Sequence, residues 1–214
     1  MPRSNAKKST RETKRTQKAE LRRDEIMSAA IDVFHRDGFR GASLEDVADE
    51  VGISKSLIYY HFKNKMELLA EMNGRMGVIF FDEILPILQD ESIGHEERLR
   101  RSVDVHVRVA IANQRLFEIY FRERHEVSEQ TKSRLYGSGE SSYVSSLSKL
   151  LKDGTDAGVF ATADATVAAF TIVGACNWIT FWYRSKLPGG RKALGATDIA
   201  AIVFDTVGKG LVTR

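Results

Sequence analysis

The stretch Ser54-Lys55-Ser56-Leu57-Ile58-Tyr59-Tyr60-His61-Phe62-Lys63 decides how this chain is read. It opens with a serine, a residue that satisfies the free amides at a helix start. Along a helix, Leu57, Ile58 and Phe62 are available for packing on one side. Lys55, Ser56, Tyr59, Tyr60 and His61 then offer cationic and hydrogen-bonding groups on the other, a set suited to phosphates and base edges.

The residues just upstream fit the same reading. Ser43 is placed to cap a helix from Leu44 to about Val51, and Gly52 tolerates the left-handed conformation with which helices commonly stop. A second helix restarts at Ser54. Val47, Val51, Ile53 and Ile58 fall where two crossing helices bury side chains, and Ala48 is small where the backbones approach. This is a helix-turn-helix pattern. From Leu21 to Asp37, Ile26, Ala30, Val33 and Phe34 recur at helical spacing, with Gly38 placed to end that helix. Residues 21–65 are therefore expected to form a three-helix DNA-binding domain.

Composition bounds the rest. With 214 residues, 43% of them hydrophobic and only 3 prolines, the chain can bury a full core. The single cysteine, Cys176, excludes an internal disulfide framework, so a reducing cytoplasm is the expected compartment. The amino terminus is polar and charged, with no apolar region of a secretory signal behind it. Ala165 to Tyr183 carries no charge and as a helix would measure roughly 28 Å, near the thickness of a bilayer core. Its threonines, Asn177 and alanines make it only moderately apolar, so it is expected to be a helix buried on all sides in a core or subunit interface, with no membrane role. Charge is uneven. Residues 1–23 hold nine basic and two acidic side chains, a net +7, whereas the whole chain is +3, which leaves −4 elsewhere. Residues 1–20 lack apolar periodicity and are expected to be a basic, disordered arm that adds phosphate contacts beside the helix-turn-helix.

Downstream, Asn64 can cap a fourth helix with Met66, Leu69, Met72, Met76, Phe80 and Ile84 on its apolar face, ending at Pro86. A fifth helix covers Glu96 to about Ala112 with Leu99, Val103, Val107 and Ala110 inward, and a sixth Gln114 to His125. Between Ser128 and Asp153, Leu135, Tyr143, Leu147, Leu150 and Leu151 are helically spaced, with Gly137 and Gly139 as possible breaks. Two more helices follow, about Asp164 to Arg184 and about Thr197 to Leu211, separated by Pro188-Gly189-Gly190. No segment of strand period opposes an all-α fold of about nine helices.

The run Ile26-x-x-Ala29-Ala30-x-x-x-Phe34-x-x-x-Gly38-Phe39, then Ser43-Leu44-x-x-Val47-Ala48-x-x-Val51-Gly52-Ile53-Ser54, then Leu57-Ile58-Tyr59-Tyr60-His61-Phe62-x-x-Lys65-x-x-Leu68-Leu69 resembles the amino-terminal domain of the tetracycline-repressor-like (TetR) family of bacterial transcriptional regulators. The resemblance implies an all-helical homodimer bound to a double-stranded operator, with residues 66–214 forming the ligand-binding and dimerisation domain. It makes Ser43, Tyr59 and Lys65 phosphate contacts and Lys55, Ser56 and Tyr60 the base-edge readers, with Ser54 and His61 in the same surface. Leu57 departs from the small or hydroxyl residue frequent at its position, and either touches a thymine methyl or packs.

Further on, Gly174-Ala175-Cys176-Asn177-Trp178-x-x-x-Trp182-Tyr183 resembles a segment of TetR regulators that sense acyl-coenzyme A thioesters. That implies an effector site of Phe121, Asn177, Trp178, Phe181 and Trp182, with Arg122, Arg124 and Arg184 for phosphates. The competing reading places the two tryptophans in the dimer interface. No serine, histidine or aspartate falls in a nucleophile-elbow or metal-ligand pattern, so neither catalytic residues, nor a metal, nor a cofactor is expected. His106 and His125 read as ordinary surface or pocket histidines.

Overall fold

The computed structural model describes residues 4–126, 129, 142–184 and 194–208. Among these, nine α-helices follow in order: α1 (Ser4–Gly41), α2 (Leu44–Val51), α3 (Lys55–His61), α4 (Lys65–Gln89), α5 (His95–Ala112), α6 (Gln114–Arg122), α7 (Tyr143–Asp156), α8 (Ala165–Trp182) and α9 (Ala196–Val207), with a 3₁₀ turn at Arg124–Glu126. None of the described residues is in a strand. The chain divides into two compact units, Met1–Met72 and Asn73–Arg214. The sequence placed this boundary at residue 65. It lies later because Leu68, Leu69 and Met72 on the first turns of α4 are buried and belong to the first unit.

In that unit, α1 runs unbroken from Ser4 to a kink at Gly38 (φ 76°, ψ 152°). The structure thus continues residues 4–20 as helix where the sequence led to a disordered arm. Alanine, lysine, arginine, glutamate and glutamine are strong helix formers, and adding residues to an existing helix is far easier than nucleating one. Apolar periodicity is a signal of packing, so its absence there does not exclude helix. Ile26, Ala30, Val33 and Phe34 are buried as expected, with Phe39 set edge-on to Phe34 at 5.2 Å. Gly52 ends α2 in the left-handed conformation (φ 73°, ψ 39°). Asn64 caps α4, its Oδ1 receiving the Glu67 amide at 2.9 Å. Met66, expected inward, is exposed, and Leu68 fills the core instead.

In the second unit α5 is the central helix, packed on α7, α8 and α9, and Leu99, Val103, Val107 and Ala110 are buried. Pro86 does not end α4, which continues to Gln89. A proline removes one helical amide, and burial of Ile84 and Leu88 on either side holds the helix together across the gap. α6 stops at Arg122, with Arg124 and His125 in the 3₁₀ turn. Gly154 in α7 leaves room for Phe160, whose ring a Cβ would overlap. α8 is capped by Asp164, whose Oδ1 accepts the amides of Thr166 and Val167 at 2.8 and 3.0 Å. It is long and apolar enough to span a membrane. Only one flank of α8 is buried, through Ala168, Ala169, Ile172, Val173, Cys176, Ile179 and Thr180. The expectation of burial on all sides therefore fails for the single chain. Leu135, Gly137 and Gly139, the Pro188-Gly189-Gly190 loop and Leu211 lie outside the described residues.

Candidate nucleic-acid interface

α3 is held from behind and open in front. Ser54 caps it, its Oγ receiving the Leu57 amide at 3.3 Å and lying 3.0 Å from Ser56 Oγ. Ile58 and Phe62 are buried, Leu57 is half-buried, and Lys55, Ser56, Tyr59 and Tyr60 are exposed. Its seven residues include no acid. Tyr60 is 76% exposed, an expensive place for an aromatic ring unless something covers it, and its ring meets the His61 ring edge-on at 5.3 Å. Tyr59 donates its hydroxyl to Glu45 Oε1 at 2.9 Å. The Glu45 carboxyl is held below its ordinary range by its own backbone amide first and by Tyr59 second.

Ser43 and Asp46 form a reciprocal capping box at the start of α2. The serine Oγ receives the Asp46 amide at 3.1 Å and donates to Oδ2 at 2.7 Å, and the Ser43 amide reaches the same oxygen at 2.8 Å. The hydroxyl proton is thus engaged within the protein. His61 is half-buried, and burial, followed by the charges of Arg23 and Arg22, pushes its imidazole below its ordinary pKa. At neutral pH it is a hydrogen-bonding group and not a cation.

Lys65 is placed differently from the phosphate contact that the resemblance implied. Its Nζ donates to the carbonyl oxygens of Phe39, Arg40 and Ala42 at 2.8, 3.1 and 3.0 Å and lies 4.9 Å from the Phe39 ring centre. An ammonium has three donors, and all three close the end of α1. Arg23, grouped in the sequence with the basic arm, has a similar task. It donates Nη1 to the His61 carbonyl at 3.1 Å, pairs with Glu71, and stacks 4.4 Å over the Phe62 ring. These two clamps were not legible in the spacing, because their partners lie 23 to 48 residues away.

The residues assigned to an effector separate into two groups. Phe121 meets Phe181 at 5.6 Å, and Trp178 meets Phe181 at 5.3 Å, so the structure brings this aromatic set together. Arg122, Arg124 and Arg184 are exposed. Trp178, Phe181 and Trp182 are 63%, 40% and 48% exposed and share a stripe of α8 with Val167 and Phe170. Asn177 turns the other way, its Oδ1 lying 3.0 Å from His106 Nε2, while His106 Nδ1 lies 2.9 Å from the Tyr143 hydroxyl. Burial pushes the His106 imidazole down to about 4, opposed by the Asn177 bond. The imidazole is thus a neutral link between α5, α7 and α8. Among the described residues no group of histidines, cysteines or carboxylates has the arrangement of a metal site.

A helix-turn-helix head whose second helix presents an exposed, acid-free polar face, followed by an all-helical second unit, defines the class of DNA-binding transcriptional regulators. Residues 26–72 match the family described as bacterial regulatory proteins, tetR family, and residues 92–211 match the tetracyclin repressor-like carboxy-terminal domain. The chain belongs to the tetR family. Among its relatives are the transcriptional activator FasR of Mycolicibacterium smegmatis, 40% identical over 47 residues, and the negative regulator IcaR of Staphylococcus epidermidis, 39% identical over 63. These matches span 22% and 29% of this chain, and only 22% and 34% of the relatives' own lengths.

Solved structures extend the fold to nearly the whole chain. A tetR-family regulatory protein from Rhodococcus RHA1 superposes with a TM-score of 0.77 at 19% identity, over 90% of this chain and 97% of the other. The ketosteroid transcriptional regulator KstR2 of Mycobacterium tuberculosis gives 0.73 at 23%, over 90% and 96%. AibR, in complex with isovaleryl coenzyme A and operator DNA, gives 0.70 at 24%, over 86% and 97%.

Proposed function

We propose that this regulator is a homodimer that sets one α3 helix into each of two successive major grooves of a pseudo-palindromic operator, and that it represses in the cytoplasm until a small-molecule effector, an acyl-coenzyme A thioester, binds. The observation that carries the proposal is the exposed face of α3, Lys55, Ser56, Tyr59 and Tyr60, backed by buried Ile58 and Phe62. Base readout asks for such a helix: fixed from behind, with donors, acceptors and aromatic rings toward the groove. Dimerisation supplies the second helix, at a spacing of roughly 34 to 36 Å or a multiple of it.

The exposed apolar stripe of α8 supports the dimer. Val167, Phe170, Trp178, Phe181 and Trp182 run along the whole helix, and Ile202 of α9 is exposed as well; a stripe of that length is the sort of surface a second copy covers. Gly174, midway, has nothing from other described parts of the chain within 4 Å of a Cβ position, so a facing helix can approach closely. The effector class rests on the likeness to AibR, whose structure holds isovaleryl coenzyme A. It is also supported by the aromatic end of α8 beside Phe121, with exposed Arg122 and Arg184 nearby in the chain. Repression is relieved in proportion to the effector's differential affinity for the two states.

A gel shift on the DNA upstream of the protein's own gene, titrated with free acids and with their coenzyme A thioesters, tests both parts. The expected outcome is a shifted band dissolved by a thioester and not by coenzyme A alone. A band unaffected by any thioester removes the effector assignment, and a band strengthened by one reverses the direction of control.

A further inference from the structure

A cavity lies in the second unit, lined by residues other than those of the aromatic stripe. Its volume is about 260 Å³, and it opens between the end of α4, the start of α5 and one side of α7, lined by Leu88, Glu91, Arg98, Ser146, Lys149, Leu150 and Asp153 among others. Arg98 is its unusual wall. The residue is 8% exposed, and no carboxylate lies within ion-pair distance of it among the described residues. Nη1 donates to the Leu88 carbonyl at 3.2 Å, closing the end of α4, while the buried Nε–H has no acceptor. Removing a guanidinium from water without a carboxylate hydrogen-bonded to it is unfavourable. Helix capping accounts for one nitrogen and the Nε–H is sealed inside the protein, which leaves Nη2 to meet an oxyanion.

The other charges on the wall narrow the ligand. Lys149 and Asp153 neutralise each other at 2.7 Å. Asp90, near enough for Arg98 to help lower its pKa, has its Oδ1 engaged by the Ser92 amide and hydroxyl at 3.0 and 2.5 Å. Glu91 is a further negative charge, which disfavours a dianion and leaves room for a single negative charge at Arg98. Leu88 and Leu150 give the cavity an apolar side, and its volume falls just below the roughly 300 to 1,000 Å³ of drug-sized ligand pockets. We infer that the cavity between α4, α5 and α7 is a binding site for a short-chain monocarboxylic acid, its carboxylate held by the Arg98 guanidinium and its alkyl chain lying against Leu88 and Leu150. The site recognises the free acid and is separate from the thioester reading of the α8 surface, so either stands if the other falls.

The test follows the Nε–Hε NMR signals of the full-length, ¹⁵N-arginine-labelled protein without DNA, titrated with butyrate and, separately, with inorganic phosphate. Calorimetry measures the same additions to the unaltered chain and to the Arg98→Lys and Trp178→Ala variants. The expected result is a saturable shift of one slowly exchanging Nε–Hε signal with butyrate, a butyrate Kd raised about tenfold or more in Arg98→Lys, and no change in Trp178→Ala. The NMR titration of the unaltered protein decides the matter even if Arg98→Lys does not fold. No shift with either anion, or an unchanged Kd in a folded Arg98→Lys, overturns the site. A shift with phosphate alone overturns the carboxylate assignment.

Discussion

α3 and α8 solve the same packing problem with opposite outer faces. Each has one buried flank, Ile58 in α3 and Ala169, Ile172, Cys176 and Ile179 in α8. The open side of α3 carries Lys55, Ser56, Tyr59 and Tyr60, whereas that of α8 carries Val167, Phe170, Trp178, Phe181 and Trp182. A polar face with cationic and hydroxyl groups keeps its water until an equally polar partner replaces it, which suits a nucleic acid. An apolar face gains by losing water to another apolar surface. The difference teaches that the buried flank sets how a helix is held, and the open one sets what it meets.

Breaking the α8 side has the largest expected effect. In the proposed dimer Val167→Glu puts a charge into both halves of the α8 seam, so dimerisation should weaken by roughly 100-fold or more, with operator binding falling alongside. Sedimentation equilibrium reads the first and a gel shift the second. A Val167→Glu chain that stays dimeric removes α8 from the interface.

The interior of the second unit responds to pH. The His106 imidazole titrates at about 4 when folded and near 6.5 when unfolded. Below pH 6.5 the unfolded chain therefore takes up a proton that the folded one refuses. Stability from this residue is complete above about 6.5 and is lost as pH falls toward 4, by about 3 kcal/mol in all. His106→Gln should flatten that part of the profile in chemical denaturation, while an unchanged slope places the buried titration elsewhere.

In the first unit, Lys65→Met sharpens what the head owes to its clamps. Three carbonyls at the end of α1 lose their donor, so the melt should drop by about 1 to 3 kcal/mol. A phosphate contact would instead leave the melt intact and lower the salt dependence of binding by about one unit. The smallest effect is Tyr60→Ala, about 1 to 2 kcal/mol of operator affinity, with the dimer and the melt unchanged. A loss of the same size on unrelated DNA would make Tyr60 a backbone contact and not a reader.

The head was largely legible because its signals are local. Ser43, Gly52, Ser54 and Asn64 each act within four residues, and the structure places all four as the sequence suggested. The clamps of Lys65 and Arg23 were not, since a cation carries no mark of which distant carbonyl it will meet. The second unit was legible as helices and less so as a site. Trp178 and Trp182 share a face at helical spacing, yet nothing in that spacing tells an inner wall from an outer seam. His106 looked ordinary because Tyr143 and Asn177 are 37 and 71 residues away. Arg98 had no signal at all, being one arginine among several charges on α5.

Dimethyl sulfate, which methylates guanine N7 in the major groove, tests most directly whether the open face of α3 meets DNA. On an operator saturated with protein, two protected half-sites are expected about one helical turn apart or a multiple of it, with protection at specific guanines lost in Tyr60→Ala and Lys55→Ala at concentrations that still bind. Guanines that stay protected in both variants, or protection confined to a single half-site, would contradict that arrangement.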